Sequence, residues 1–346
     1  MGKPLLIVVI VSLLGCLNLQ AQEIIPLQSG QNSSLRGLSV VDKSVVWVSG
    51  SNGYVATTKD GGSTWSWNQI AGYEKFDFRD IEAFSATEAV IVNAGSPAVI
   101  LVTVNGGQSW KEVYRNSSPD IFLDGMDFWN RKHGIIYGDP IGGQMQLLET
   151  VDGGKSWNDI SKNLSISLIK GEASFAASGT AIRTGKKGNV WVATGGTQSR
   201  IFHSEDFAKS WRAYPCPIIQ GNNSSGPFSI AFFNKKTGVA AGGDYLKDTL
   251  RNKNFLLTSD GGRKWFSPVA SPQGYRSAVE YISKNILIAT GTSGTDISYD
   301  GGSSWQLLSP NGYNTVRRAK KGSLIIMTGS KGSIAKIDFN KIYDIK

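Results

Sequence analysis

The chain reads as short apolar or alternating runs separated by glycine-rich steps. In its first regular unit the runs are 35–41, 45–49, 54–58 and 65–70. Four strands of that length, each returning on the last, make one antiparallel sheet. The same reading places further units near 76–117, 121–166, 171–220, 226–270 and 275–310. A piece from Tyr313 to Phe339 supplies three more strands, including 324–328 and 333–338, and lacks a fourth. The N-terminal stretch EIIPLQSG, Glu23 to Gly30, looks like the strand its unit is missing. Pairing the two closes a ring and removes an open sheet edge. The expected fold is therefore all-β, a seven-bladed β-propeller closed by strands from both termini.

One motif punctuates six of the units. It runs TKDGGSTW (Thr58 to Trp65), TVNGGQSW (Thr103 to Trp110), TVDGGKSW (Thr150 to Trp157), SEDFAKSW (Ser204 to Trp211), TSDGGRKW (Thr258 to Trp265) and SYDGGSSW (Ser298 to Trp305). Its third positions, Asp60, Asn105, Asp152, Asp206, Asp260 and Asp300, lie 40 to 54 residues apart, a propeller-blade period. A hairpin turn explains the composition. Paired glycines tolerate positive φ, the Asp or Asn side chain accepts backbone N–H bonds, and Trp65, Trp110, Trp157, Trp211, Trp265 or Trp305 locks the returning strand. The fourth copy has Phe207-Ala208 for Gly-Gly, which predicts a turn built differently or distorted.

These residues resemble the Asp-box, or bacterial neuraminidase repeat, of sialidases, the sortilin ectodomain and the photosystem II stability/assembly factor-like propellers. Further segments look like those of exported bacterial propellers of that last group: Gly138-Asp139-Pro140, Glu172 to Thr180, Gly242-Gly243-Asp244-Tyr245 and Gly274-Tyr275-Arg276-Ser277. The resemblance implies that the boxes are structural turns away from the ligand face. It also implies a protein-binding, assembly-factor-like role, in a group whose members often carry a bare oxidoreductase label.

Lys3 followed by the apolar run 5–14 suits a signal peptide rather than a membrane span. Cleavage after Ala21 is expected, with a lipobox-like Leu13-Leu14-Gly15-Cys16 as the competing signal. The chain is thus expected to be exported, periplasmic or secreted, with residues 22–346 as a single domain and no transmembrane segment. A lipoprotein anchored through Cys16 is the alternative. After cleavage only Cys216 remains, so no internal disulfide can form. The net charge of +9 would favour acidic partners, but much of it is lysine scattered at turns, and nucleic-acid binding calls for a concentrated basic stripe.

Candidate chemistry lies at the starts of the innermost strands. Arg36, Arg79, Asp124, Glu172 and Arg276 fall near equivalent positions there and are expected to converge on one channel mouth, either as a ligand site or as mutually paired charges. Tyr275, Asp139 and Asp244 are expected to rim it. Two long loops, 137–144 and 242–254, are expected to add to the same surface. Redox cofactors find no support, since dinucleotide, CxxC and haem motifs are lacking and His133 and His203 are the only imidazoles. His133 reads as a turn residue and His203 as packed or exposed. No metal loop is expected either. The leading expectation is a monomeric, non-catalytic module binding a protein or acidic glycan through an arginine-rich mouth. The alternative is a sialidase-like glycoside hydrolase or lyase on an acidic carbohydrate, with Asp124 and Glu172 as its carboxylate pair. The arginine-bearing segment typical of sialidases is missing.

Overall fold

The computed structural model describes residues 23–339. The expected leader, Cys16 and both candidate cleavage sites lie outside them. Seven antiparallel sheets follow one another around an axis, and the inner strand of each touches the next until the seventh meets the first. Blade one runs outward through Leu35–Val40, Val46–Gly50, Tyr54–Thr58 and Ser66–Gln69. Blade seven joins Thr315–Arg318, Ile325–Thr328 and Ile334–Asp338 to the N-terminal strand Glu23–Gln28, with Ile24 opposite Ile337. This is the seven-bladed propeller closed by both termini that the sequence predicts.

The motif turns tie neighbouring connections together. In blade three, Asp152 Oδ1 accepts from the Thr150 hydroxyl at 2.8 Å and from Ser156 N at 3.0 Å, while Trp157 Nε1 donates to Gly154 O at 3.1 Å. The fourth box position, Gly153 here, donates its N–H to the inner hairpin at Lys132 O. Equivalent bonds recur in the other five copies, from Gly61, Gly106, Phe207, Gly261 and Gly301. All six boxes therefore lie on the face where the inner strands end.

Three expectations need correction. The fourth box is not distorted. Phe207 and Ala208 both take φ 61°, and Asp206 keeps the same bonds to Ser204 and Ser210. A Cβ at such angles is strained, and the Phe207 ring is packed in return against His133 (4.9 Å, stacked) and Trp129 (5.3 Å). His133 is thus a member of that aromatic cluster, bonded to Glu149, as well as a turn residue. Blade five has only three full strands, Ser225–Phe232, Gly238–Asp244 and Phe255–Thr258. Its fourth shrinks to a bridge between Leu257 and Phe266, because Pro268 two residues later cannot donate to a ladder. The expected loop at 137–144 is a continuous hairpin, Gly134–Ile141 with Gln144–Thr150, turning on Gly142-Gly143.

Blade four departs most. Its inner strand is split into Glu172–Ala173 and Ile182–Thr184, and the segment between them enters the channel and bonds to every other blade. Ala177 O accepts from Arg36 (2.8 Å) and Ala176 O from Arg79 (3.5 Å), in blades one and two. Ser174 N donates to Asp139 in blade three, and Thr180 bonds Ser229 and Ile230 in blade five. Ser178 donates to Ser277 O in blade six, and Arg317 of blade seven donates to Gly179 O. The small residues of this segment make room for it. Gly179, at φ 64°, approaches Asp80 so closely that a Cβ would lie 2.4 Å from its carboxylate.

Candidate functional site

The plug divides the channel and leaves a cavity of about 570 Å³ on the strand-start side. What gathers its lining is a shared irregularity of the inner strands. Pairing skips from Leu35 to Gly37, from Leu123 to Gly125 and from Pro227 to Ser229. Such bulges re-aim the residue they free, here Arg36, Asp124 and Phe228. Arg79, Ser277 and Asn314 occupy the matching places just ahead of their strands, and all six line the cavity.

Five of the eight expected residues therefore meet: Arg36, Arg79, Asp124, Asp139 and Tyr275. Three do not line the cavity. Arg276 is one residue out of register with its counterparts. An offset of one turns a strand side chain to the other face, and Arg276 lies fully buried against Asp296, its Nε donating at 2.6 Å. Glu172 precedes the plug rather than the inner strand proper, and is held by Arg200 at 2.5 Å and by the Thr194 hydroxyl at 2.6 Å. Asp244 is buried as the cap of the short helix Tyr245–Lys247, accepting from Leu246 N. The Asp124–Glu172 carboxylate pair of the hydrolase reading thus does not share one cleft.

The lining falls into three arcs. Blades one and two supply the basic arc. Arg36 spends one N–H on Ala177 O, and no carboxylate of the described residues reaches it within ion-pair distance. Burial, then the nearby Arg79 charge, lowers its pKa. Arg79 is paired with Asp77 at 2.7 Å.

Blade three supplies the acidic arc. Asp124 is 1% exposed, and neither carboxylate oxygen has a hydrogen-bond partner among the described residues. Burial pushes its carboxyl well above the usual range and the neighbouring Asp139 adds to this, against the pull of Arg79. Asp139, half-buried, is raised by burial as well.

Blades four to six supply an aromatic arc that sequence reasoning found only at Tyr275. Phe175 stacks on Phe228 at 3.9 Å, and Tyr275 meets Phe228 edge-on at 4.8 Å. Tyr245 closes the arc and stays about half exposed. A lone Phe175 amid the small residues of Ala173 to Gly179 was the signal available for it. His203 is away from this cavity, buried on Trp191 and bonded to Asn189, and burial lowers its pKa to about 4.

Comparison with known proteins agrees with the resemblance drawn from the repeats. Residues 20–119 match the family model described as photosynthesis system II assembly factor YCF48, a stretch that holds Arg36 and Arg79. No curated protein matches the sequence. Among solved structures, one titled "YCF48 bound to D1 peptide" is similar at 18% identity and a TM-score of 0.65, covering 93% of this chain and 96% of its own. YCF48 from Cyanidioschyzon merolae is similar at 16% identity and 0.63, covering 93% and 100%. The WD40 β-propeller domain of Doa1 follows at 9% and 0.62, covering 92% and 97%. At such identities the likeness is one of fold. With the family match over residues 20–119, the chain is a propeller similar to the YCF48 assembly factors.

Proposed function

We propose that this protein is an exported, non-catalytic propeller that captures a protein partner by an acidic segment inserted in the strand-start mouth. The observation that carries the reading is Arg36, a guanidinium fixed on a plug carbonyl, facing a cavity and lacking a carboxylate of its own. Arg79 stands beside it, and planar guanidinium forks suit carboxylates. An acidic glycan would answer the same charge. The protein reading is favoured by exposed apolar side chains on the blade-five loop, Tyr245, Leu246 and Leu250, next to the basic Lys247 and Arg251. One of the similar structures is of a YCF48 with a peptide bound, so a propeller of this kind can hold one.

The test is titration of the protein with a blocked peptide carrying aspartate and leucine, beside an acidic polysaccharide. Arg36→Ala is expected to weaken the peptide roughly tenfold, the scale of one lost charged contact, and to leave the polysaccharide without effect in either protein. Saturable polysaccharide binding with no peptide binding would replace the protein reading with the glycan one. Turnover of the polysaccharide would revive the hydrolase.

A further inference from the structure

The acidic arc is unexplained by carboxylate capture, since Asp124 and Asp139 oppose an incoming anion. They sit on neighbouring strands, with Asp139 N donating to Phe122 O at 2.9 Å and Asp139 Oδ1 accepting from Ser174 N at 3.0 Å. Around them several polar atoms are buried without hydrogen-bond partners among the described residues: both Asp124 oxygens, the Tyr137 hydroxyl and the Ser174 hydroxyl. Buried acceptors left unpaired are costly and rare in folded proteins. Asp124 and Ser174 line the cavity beside Asp139, and the two unpaired Asp124 oxygens point to a donor brought by a ligand.

The donor should be cationic and slender. Two carboxyls repel one another at this floor, which a positive charge would relieve. Arg79 is occupied by Asp77 and does not bond to either acid. Phe175 and Phe228 line the same cavity, and aromatic rings attract cations. A lysine ammonium has three donors on a flexible apolar stem and meets each requirement.

We infer that Asp124 and Asp139 form a cation subsite in the mouth, which takes the ammonium of a basic side chain on the partner segment beside the carboxylate held by Arg36. The inference rests on the carboxylate-capture reading and adds a second requirement to it: the segment carries both charges.

Two blocked peptides test it, each with aspartate and leucine and differing only in lysine against norleucine at one further position. The wild-type protein is expected to bind the lysine peptide about tenfold more tightly, the scale of a close charge pair. Asp124→Asn and Asp139→Asn should each bring that ratio to within about twofold, while the norleucine peptide binds at least as tightly, an opposing charge being gone, and keeps its dependence on Arg36. Asp139→Asn, at a half-exposed position, covers the case in which the buried variant folds poorly. Equal affinity for the two peptides in the wild type, or a lysine preference that survives both substitutions, overturns the subsite and leaves carboxylate capture standing. Binding of neither peptide removes both.

Discussion

The two mouths of the channel are built from the same strands and carry similar charges, yet they treat them differently. At the strand-end mouth, Arg183 pairs with Glu280 at 2.6 Å, with Arg317 beyond it at 3.9 Å. Lys320 pairs with Glu82 and also donates to Ala83 O at 2.9 Å, and Asp127 accepts from Thr184 N at 2.7 Å. At the strand-start mouth Arg79 pairs with Asp77 at 2.7 Å, but Arg36 has only a carbonyl and the Asp124 carboxylate oxygens have no hydrogen bond among the described residues. Pairing of charges thus claims Arg79, Glu172 and Arg276 among the expected mouth residues and runs across the channel at the opposite end, leaving Arg36 and Asp124 over. Charges that satisfy one another specify structure, and charges left over are available to a ligand.

Four substitutions would break or sharpen this contrast. The largest effect is expected from Arg276→Ala, which strands Asp296 in the interior. Loss of one member of a fully buried pair costs about 3–5 kcal/mol, read as a drop in denaturant midpoint, with peptide affinity unchanged in the protein that remains folded. Glu280→Gln leaves Arg183 without its counter-charge. Because both side chains keep some solvent contact, a smaller loss of about 2 kcal/mol is expected, and an unchanged midpoint would mean that the strand-end network is ornamental.

Asp124→Asn should act in the opposite direction. The folded state raises the Asp124 carboxyl above its unfolded value, so it binds the proton more tightly than the unfolded chain does. The stability this group contributes is present below about pH 4, the ordinary aspartate pKa, and is lost as pH rises through the raised value. The variant should therefore match the wild type near pH 4 and exceed it by about 1–3 kcal/mol above neutrality, followed by thermal melts across that range. A variant less stable than wild type at every pH would show that the carboxylate is satisfied in solution. The smallest effect on stability belongs to Arg36→Ala, about 1 kcal/mol for the lost bond to Ala177 O, although the same variant should bind the peptide roughly tenfold more weakly. A large fall in its melting temperature would move Arg36 into the structural class with Arg276.

Arg36, Arg79 and Asp124 are legible from the alignment of strand starts, which holds where each blade keeps its register. Arg276 is not legible in this way, because Gly274-Tyr275-Arg276-Ser277 offers no mark of which residue falls on the inner face, and one position decides between a cavity and a buried ion pair. Glu172 is not legible for a different reason. The ten residues Glu172 to Ala181 look like strand and turn, and only the presence of six other blades around them gives their N–H and C=O groups partners inside a channel.

The sequence by itself determined the number of blades, their order, the turns that fasten them and the strand exchange that closes the ring. Those features depend on local periodicity and on one eight-residue motif, which a chain displays without reference to distant parts of itself. The tertiary structure alone decided which charges pair and which face the cavity, that the channel is divided by its own main chain, and that the fourth box holds positive φ without glycine. Each of these depends on the approach of segments from different blades, and a shift of one residue or one bulge changes the outcome while leaving the pattern in the sequence unaltered.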